Sequence, residues 1–314
     1  MTDTGPLFVS SGDLLADRRY KAAIDLASRG DFPAAADILA QTIELTPNFA
    51  TAWFALGAIR DRLGDRAGAV TAFERTRDAD PQDYHGARLQ LARLGAGDVA
   101  PAMTETYVRR LFDQYAGRYD TALIEHLQYR GPALLRDAVE AAMRAAKRPM
   151  HFRGMLDLGC GTGLAGAAFR PFVDRLVGVD LSPAMIAQTE SKTLYDRLAT
   201  ADLARFLAAE SATAEKYDLV IAADVFVYVN DLAPILGAVA RVMAPAGILA
   251  FTVETHPGDG VKLLPTLRFA YGAEYLRATI AEAGLSLLSL TAASIRTEKG
   301  VPVDGLVAVA IRQA

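Results

Sequence analysis

The stretch Leu156-Asp157-Leu158-Gly159-Cys160-Gly161-Thr162-Gly163 ends an apolar run on a carboxylate and then sets three glycines at alternate positions. An apolar run that stops in this way predicts a buried strand turning sharply into a helix, here over 164–169. Glycines in such a turn let the backbone lie against a ligand where any Cβ would collide. The helix that follows presents unpaired amides to the same place. A second carboxylate, Asp180, ends the next apolar run in Val177-Gly178-Val179-Asp180-Leu181-Ser182. In open α/β sheets ligands bind beyond the carboxyl ends of the strands, where the strand order reverses. A carboxylate there accepts the two hydroxyls of a ribose, which selects a nucleoside rather than a phosphate.

Working outward, apolar runs at 154–158, 176–179, 219–222, 247–253, 285–291 and 305–311 alternate with amphipathic windows of helical length. A further short strand precedes Ala201-Asp202-Leu203. The pattern predicts an α/β fold with a Rossmann-like, mostly parallel sheet of seven strands, the last one antiparallel, over residues 151–314. Ahead of it, helical patterns at 104–115, 119–128 and 132–146 predict a helical linker or lid over 98–150. The segment Gly95-Ala96-Gly97-Asp98-Val99-Ala100-Pro101 marks the boundary with an all-α region over 1–97.

That first region repeats itself with a period of 34 residues: Gly30-Asp31 recurs as Gly64-Asp65, and Pro47 as Pro81. The second copy holds Trp53, Leu56, Gly57, Gly64, Ala69, Phe73 and Pro81, spacings that resemble the tetratricopeptide repeat, a helix-turn-helix unit. Pro47 and Pro81 would end the second helix of each pair. The first copy has Arg19 where the second has Trp53, and a third begins at His85 and stops near Leu94. So short an array leaves three roles open: a protein partner, a homodimer, or a spacer that stabilises the rest.

A dinucleotide fold competes for the same residues. Gly161, Gly163 and Gly166 satisfy G-x-G-x-x-G, and Asp180 would serve a dinucleotide ribose equally well. Three features favour a methyl donor. Asp157, just before the loop, suits a cationic amino group and would repel a pyrophosphate. Asp202 follows a strand where a carboxylate can take an adenine amino group. The chain then ends in the order helix (273–283), strand, hairpin, strand, which is not the second half of a dehydrogenase.

At this point the sequence resembles the class I S-adenosylmethionine-dependent methyltransferases. The resemblance rests on Asp157 to Gly163, on Gly178 to Ser182, on Asp218-Leu219-Val220-Ile221 and on Pro245-Ala246-Gly247. More narrowly, Phe112-Asp113-Gln114-Tyr115-Ala116-Gly117-Arg118-Tyr119-Asp120 and the segment from Ala222 to Tyr228 look like predicted bacterial methyltransferases with N-terminal tetratricopeptide repeats. The resemblance implies S-adenosylmethionine as cofactor and S-adenosylhomocysteine as product. It implies that Asp157 and the backbone of Gly159, Cys160, Gly161 and Gly163 hold the methionine part. Asp180 would take the ribose, with Leu181 and Met185 beside the adenine and Asp202 and Leu203 at its edge and face. Ala223 and Asp224 would lie near the amino group and the sulfonium. The usual Pro-Gly-Gly turn is here Pro245-Ala246-Gly247, a structural departure.

Methyl transfer needs orientation and exclusion of water, and a base only where the acceptor must lose a proton. Tyr107, Tyr115, Tyr119 and Tyr228 are candidates for an aromatic wall, since ring faces attract a sulfonium as they do other cations. Tyr228, Glu254 and His256 are the candidates for proton handling, the last two at the end of the fifth long strand; His256 sits in a turn-rich loop, 255–260, suited to a lid. No Cys/His spacing predicts a metal. The single cysteine, Cys160, excludes an internal disulfide and fits a reducing compartment. A net charge of −4 gives no global attraction to nucleic acid or to an anionic membrane. The first residues lack the basic start and apolar core of a signal peptide, and no apolar run reaches the roughly 20 residues of a membrane span. The expectation is a cytoplasmic enzyme acting on a small molecule, a protein acceptor being second. A catalytically silent repeat adaptor with a nucleoside-binding domain, or an NAD-dependent oxidoreductase, are the alternatives.

Overall fold

The computed structural model describes residues 7–121 and 127–313. The chain forms two compact units, one reaching to Tyr107 and including Pro265–Leu267, the other made of Val108–Leu264 with Arg268–Ala314.

In the first unit the repeat becomes geometry. Helix α1 (Leu14–Ser28) pairs with α2 (Phe32–Leu45), and α3 (Ala50–Arg62) pairs with α4 (Arg66–Ala79), before the short α5 (Ala87–Arg93). The second helix of each pair starts on an aspartate: Asp31 accepts the amide of Ala34, and Asp65 that of Gly68. Such a cap satisfies one of the unpaired amides at a helix start. Ala23, Ala35, Ala52 and Ala72 are fully buried, so the helices approach closely around Tyr20, Leu39, Phe49 and Leu56. A Cβ on Gly57 would lie 2.8 Å from the Phe73 ring, which explains the glycine. At the end of α4, buried His85 links Asp80 (2.7 Å) to Thr51 (3.1 Å) and acts as a satisfied structural side chain.

The second unit is entered within α6 (Glu105–Tyr115), followed by a 3-10 turn at Ala116–Arg118, the single-turn α7 (Tyr119–Thr121) and α8 (Gly131–Ala145). Half of the helix predicted over 119–128, residues 122–126, lies outside the described residues. Strands and helices then alternate: β1 (Phe152–Leu158), α9 (Leu164–Phe169), β2 (Val173–Asp180), α10 (Pro183–Glu190), β3 (Arg197–Thr200), α11 (Leu203–Ser211), β4 (Tyr217–Ala222) and α12 (Ala233–Val242). After β5 (Met243–Thr255) come β6 (Val261–Leu263), β7 (Phe269–Tyr271), α13 (Ala273–Glu282), β8 (Leu285–Glu298) and β9 (Val301–Arg312).

The strands β3-β2-β1-β4-β5 are parallel neighbours in that order. β9 runs antiparallel to β5, and β8 lies outside β9 as its hairpin partner. The seven long elements thus follow the predicted plan. The sheet nevertheless has nine strands rather than seven, because β6 and β7 form a small hairpin that extends the carboxyl end of β5. Each is three residues long, too short for an alternating pattern, and the surrounding Pro257, Gly258, Gly260 and Pro265 read as loop. The core packs Leu135, Val139 and Met143 of α8 against Phe152, Met155, Leu176, Leu219, Ile248 and Val309 of the sheet. The strand order reverses between β1 and β4, which places the open crevice at the glycine loop.

Candidate functional site

At the end of β1 the chain turns through Gly159 (φ +63°), Gly161 (φ +53°) and Gly163 (φ +87°), all in the left-handed region that disfavours side chains. A Cβ on Gly159 would also lie 2.5 Å from Val225, so this glycine is required twice over. The amide of Cys160 donates to the carbonyl of Val179, which ties the loop to β2. Asp180 completes the tie: its carboxylate accepts the amide of Gly161 at 2.8 Å and that of Ser182 at 2.8 Å. Burial raises its pKa, and these amides oppose the rise.

Asp157 is 1% exposed. One oxygen, Oδ2, accepts the hydroxyl of Tyr195 at 2.5 Å; the other, Oδ1, has no hydrogen-bond partner. Burial, with the neighbouring charge of Asp180 adding to it, pushes this carboxyl up to about 7, and the Tyr195 hydroxyl and the backbone of Gly166 oppose the shift. A buried carboxylate oxygen without a donor costs free energy until something cationic or a proton supplies it. Cys160 is buried beside the two aspartates and its thiol is pushed up, chiefly by burial, so it is no nucleophile.

Two aspartates from the stretch 112–120 clasp this edge. Asp113 accepts from the Ser182 hydroxyl at 2.5 Å, at the start of α10. Asp120 accepts from the Thr162 hydroxyl and from Lys192 Nζ at 2.6 Å. Tyr119 and Tyr129 then line a cleft over Gly159, Cys160, Gly161, Thr162 and Ala223 whose volume is about 20 Å³, room for about one water. Tyr115 is not among the residues lining this cleft; the Arg118 guanidinium lies over its ring at 5.4 Å. Met185 is fully buried, while Leu181 and Leu203 are half-buried. Asp202 caps α11 through Oδ1, which accepts the amides of Ala204 and Arg205.

At the ends of β4, β5 and β8 lies a second acidic group of a different kind. Arg296 is fully buried; its Nη1 donates to Asp224 at 3.0 Å and its Nη2 to Glu254 and, at 3.1 Å, to Glu298. Arg268 Nη1 stands 3.3 Å from Glu254 and 3.5 Å from Glu298. Asp224 adopts φ +60° and its amide donates to Thr252 at 2.8 Å. Burial raises the Asp224 and Glu254 carboxyls, and Arg268 opposes this in both.

Of the residues considered for proton handling, Glu254 is thus occupied by two guanidiniums. His256 spends both ring nitrogens on its own turn, accepting from the Gly258 amide at 3.1 Å and facing the Gly260 carbonyl at 3.3 Å. With Thr255, Ala292, Ala293 and Asp304 it lines an open cavity of about 590 Å³. Tyr228 packs edge-on against Phe112 at 5.2 Å, with the Arg268 guanidinium 5.8 Å above its ring. Burial pushes its hydroxyl up to about 12, so it stays protonated at neutral pH and can donate but not act as a base.

Residues 156–249 match the family model described as a methyltransferase domain. The match spans the glycine loop, β2 to β4 and the first half of β5, the parallel part of the sheet. Over 105 residues the chain is 36% identical to methyltransferase-like protein 27 of Homo sapiens, covering 33% of this chain and 40% of that protein. Over 153 residues it is 33% identical to a malonyl-[acyl-carrier protein] O-methyltransferase of Methylovorus sp. (strain MP688), covering 46% of this chain and 49% of that one. The chain therefore spans less than half the length of these curated relatives. A crystal structure of an S-adenosylmethionine-dependent methyltransferase from Clostridium acetobutylicum aligns over 65% of this chain and all of its own, at 18% identity and a TM-score of 0.48.

The sequence singled out Asp157, Asp180, Asp202 and Asp224; Tyr195, Tyr129, Arg268 and Arg296, which the structure brings to the same edge, were not among its candidates. Arg296 carried a faint signal: a lone arginine after Ile295, two residues before Glu298, in a stretch of small and apolar residues. Tyr195 and Tyr129 carried none, because their partners are distant in sequence.

Proposed function

We propose that the chain is an S-adenosylmethionine-dependent methyltransferase acting on a small molecule, with helix pairs that serve as tetratricopeptide-like repeats for a protein partner or a second copy. The observation that carries this reading is the unpartnered Oδ1 of buried Asp157. An ammonium group would supply the missing donor, whereas a pyrophosphate would set anion against anion.

The rest of the edge fits the same ligand. Each oxygen of Asp180 accepts one amide, which leaves lone pairs for the two ribose hydroxyls. Asp202 keeps Oδ2 for the adenine amino group, and Leu181, Met185 and Leu203 supply apolar flanks. The backbone of Gly159, Cys160, Gly161 and Gly163 would lie along the methionine part, with Ala223, Asp224 and the face of Tyr119 toward the sulfonium. S-adenosylmethionine brings its own electrophile, a methyl carbon on a positively charged sulfur that leaves as a neutral thioether. The protein has then to hold the acceptor in line and keep water out. Tyr119 and Tyr129 line this cleft of about 20 Å³, so a nucleoside would enter against their rings.

Calorimetric titration with S-adenosylhomocysteine tests this reading: saturable binding is expected, and none with NADH. Binding of NADH alone would make the protein a dehydrogenase. Binding of neither at millimolar concentration would make it a silent adaptor. Formation of S-adenosylhomocysteine from S-adenosylmethionine with a panel of small amines, phenols, thiols and carboxylic acids then identifies the acceptor class.

A further inference from the structure

Tyr195 stands between α10 and β3, outside every motif quoted above, yet three glycines make room for it. An added Cβ would lie 3.2 Å from its ring at Gly163, 2.2 Å from its hydroxyl at Gly166 and 2.7 Å from its ring at Gly178. These glycines belong to the loop, to α9 and to β2, so three elements give way to one aromatic ring. Its backbone is anchored on both sides. Arg170 donates to the carbonyl of Leu194 at 3.3 Å and to Asp196 at 2.7 Å, and Asp196 accepts the amide of Leu176 at 2.7 Å. So held, the hydroxyl donates to Asp157 Oδ2 at 2.5 Å and leaves Oδ1, buried and unpartnered, as the free face of the carboxylate.

We propose that Tyr195 is a positioning residue of the cofactor site, orienting Asp157 and holding it ionised so that Oδ1 alone meets the ammonium group of the ligand. The inference rests on the methyltransferase reading above. A hydrogen bond to the charged form of an acid favours that form. The other titratable groups facing Asp157 are Asp180 on β2, Cys160 in the loop and Tyr129 ahead of α8; Asp180 disfavours a negative charge there, while the Cys160 thiol and Tyr129 hydroxyl are pushed up and stay neutral. Tyr195 is the side chain that opposes burial and Asp180, with the backbone of Gly166 acting in the same direction.

The test is calorimetric titration of S-adenosylhomocysteine into the wild-type chain, Tyr195→Phe and Gly166→Ala between pH 5.5 and 8.5. Ionised Asp157 is the binding form, so wild-type affinity should rise with pH and level off above its inflection. Tyr195→Phe keeps the ring between the glycines and removes only the donor. Its affinity should fall three- to tenfold near pH 7, its inflection should move up, and the two curves should converge toward pH 8.5. Gly166→Ala, which pushes the hydroxyl away, should move the inflection in the same direction. A uniform loss at every pH with an unmoved inflection would show that the ring only packs, and would overturn the proposal, as would an unchanged Tyr195→Phe curve. Absence of wild-type binding would instead remove the methyltransferase reading itself.

Discussion

The same edge of one sheet carries two sets of buried carboxylates, and they are treated in opposite ways. At the ends of β1 and β2, Asp157 and Asp180 have amides and one hydroxyl for partners, and Asp157 keeps an oxygen with none. At the ends of β4, β5 and β8, Asp224, Glu254 and Glu298 are gathered by Arg296 and Arg268. Acids whose counter-charges are built in have little left for a ligand, and their pairing fixes the backbone that bears them. Acids without one are costly in the free protein and favourable to whatever cation arrives. The first set reads as a receptor, the second as a clamp that holds the pocket wall at Ala223 and Asp224.

The clamp should show the largest effect when broken. Arg296→Met leaves the buried Glu254 and the partly buried Asp224 and Glu298 with only Arg268, and removing one partner of a buried ion pair typically costs about 3–5 kcal/mol. Urea unfolding should register that loss at pH 8 and a smaller one at pH 5, where the orphaned acids can take up protons. An equal deficit at both values would mean that the acids are not what Arg296 serves.

The receptor should behave in reverse. The Asp157 carboxyl rises from 3.8 to about 7 on folding. An acid raised in this way contributes stability that is present below about pH 4 and lost as pH climbs through about 7. Asp157→Asn removes that penalty, so the free protein should gain about 2–4 kcal/mol at pH 8 and almost nothing at pH 4. The same variant should bind S-adenosylhomocysteine at least tenfold more weakly. A variant that lost stability at pH 8 would place Asp157 with the structural acids. Asp180→Ala sharpens the contrast within the receptor: a lost charged acceptor is worth about 1.5–3 kcal/mol, or at least tenfold in affinity by calorimetry. An unchanged affinity would show the loop to be mis-assigned.

These two sets were unequally legible in the sequence. Asp157 and Asp180 each end an apolar run beside glycines, so strand, turn and carboxylate fall within a few residues and can be read locally. The clamp joins residues 224, 254, 268, 296 and 298, which come together only when the hairpin of β8 and β9 folds back on β5. No spacing encodes that. Gly166 and Gly178 were legible as glycines but not in their purpose, which is the ring of Tyr195. The small β6–β7 hairpin escaped for a related reason: each strand is three residues long, and β7 pairs with Glu254 and Thr255 at the end of β5, contacts no local pattern encodes.

The mildest test concerns strain at opposite ends of the sheet. Asp224 (φ +60°) and Ala246 (φ +56°) both hold the left-handed conformation that non-glycine residues avoid. Asp224 is kept there by Arg296 and Thr252, beside the pocket. Ala246 sits in the turn where the resemblance leads one to expect glycine, at the amino end of β5, and its carbonyl accepts from Arg148 at 2.9 Å. The left-handed backbone costs a side-chain-bearing residue about 1–2 kcal/mol. Glycine would relieve that but lose about 0.4–1 kcal/mol through the greater freedom of the unfolded chain. Ala246→Gly should therefore stabilise the protein by a net ~0.5–1 kcal/mol in urea unfolding and leave S-adenosylhomocysteine affinity untouched. A change in affinity would mean that the amino end of the sheet is coupled to the receptor, and the separation drawn between structural and ligand-facing strain would fail.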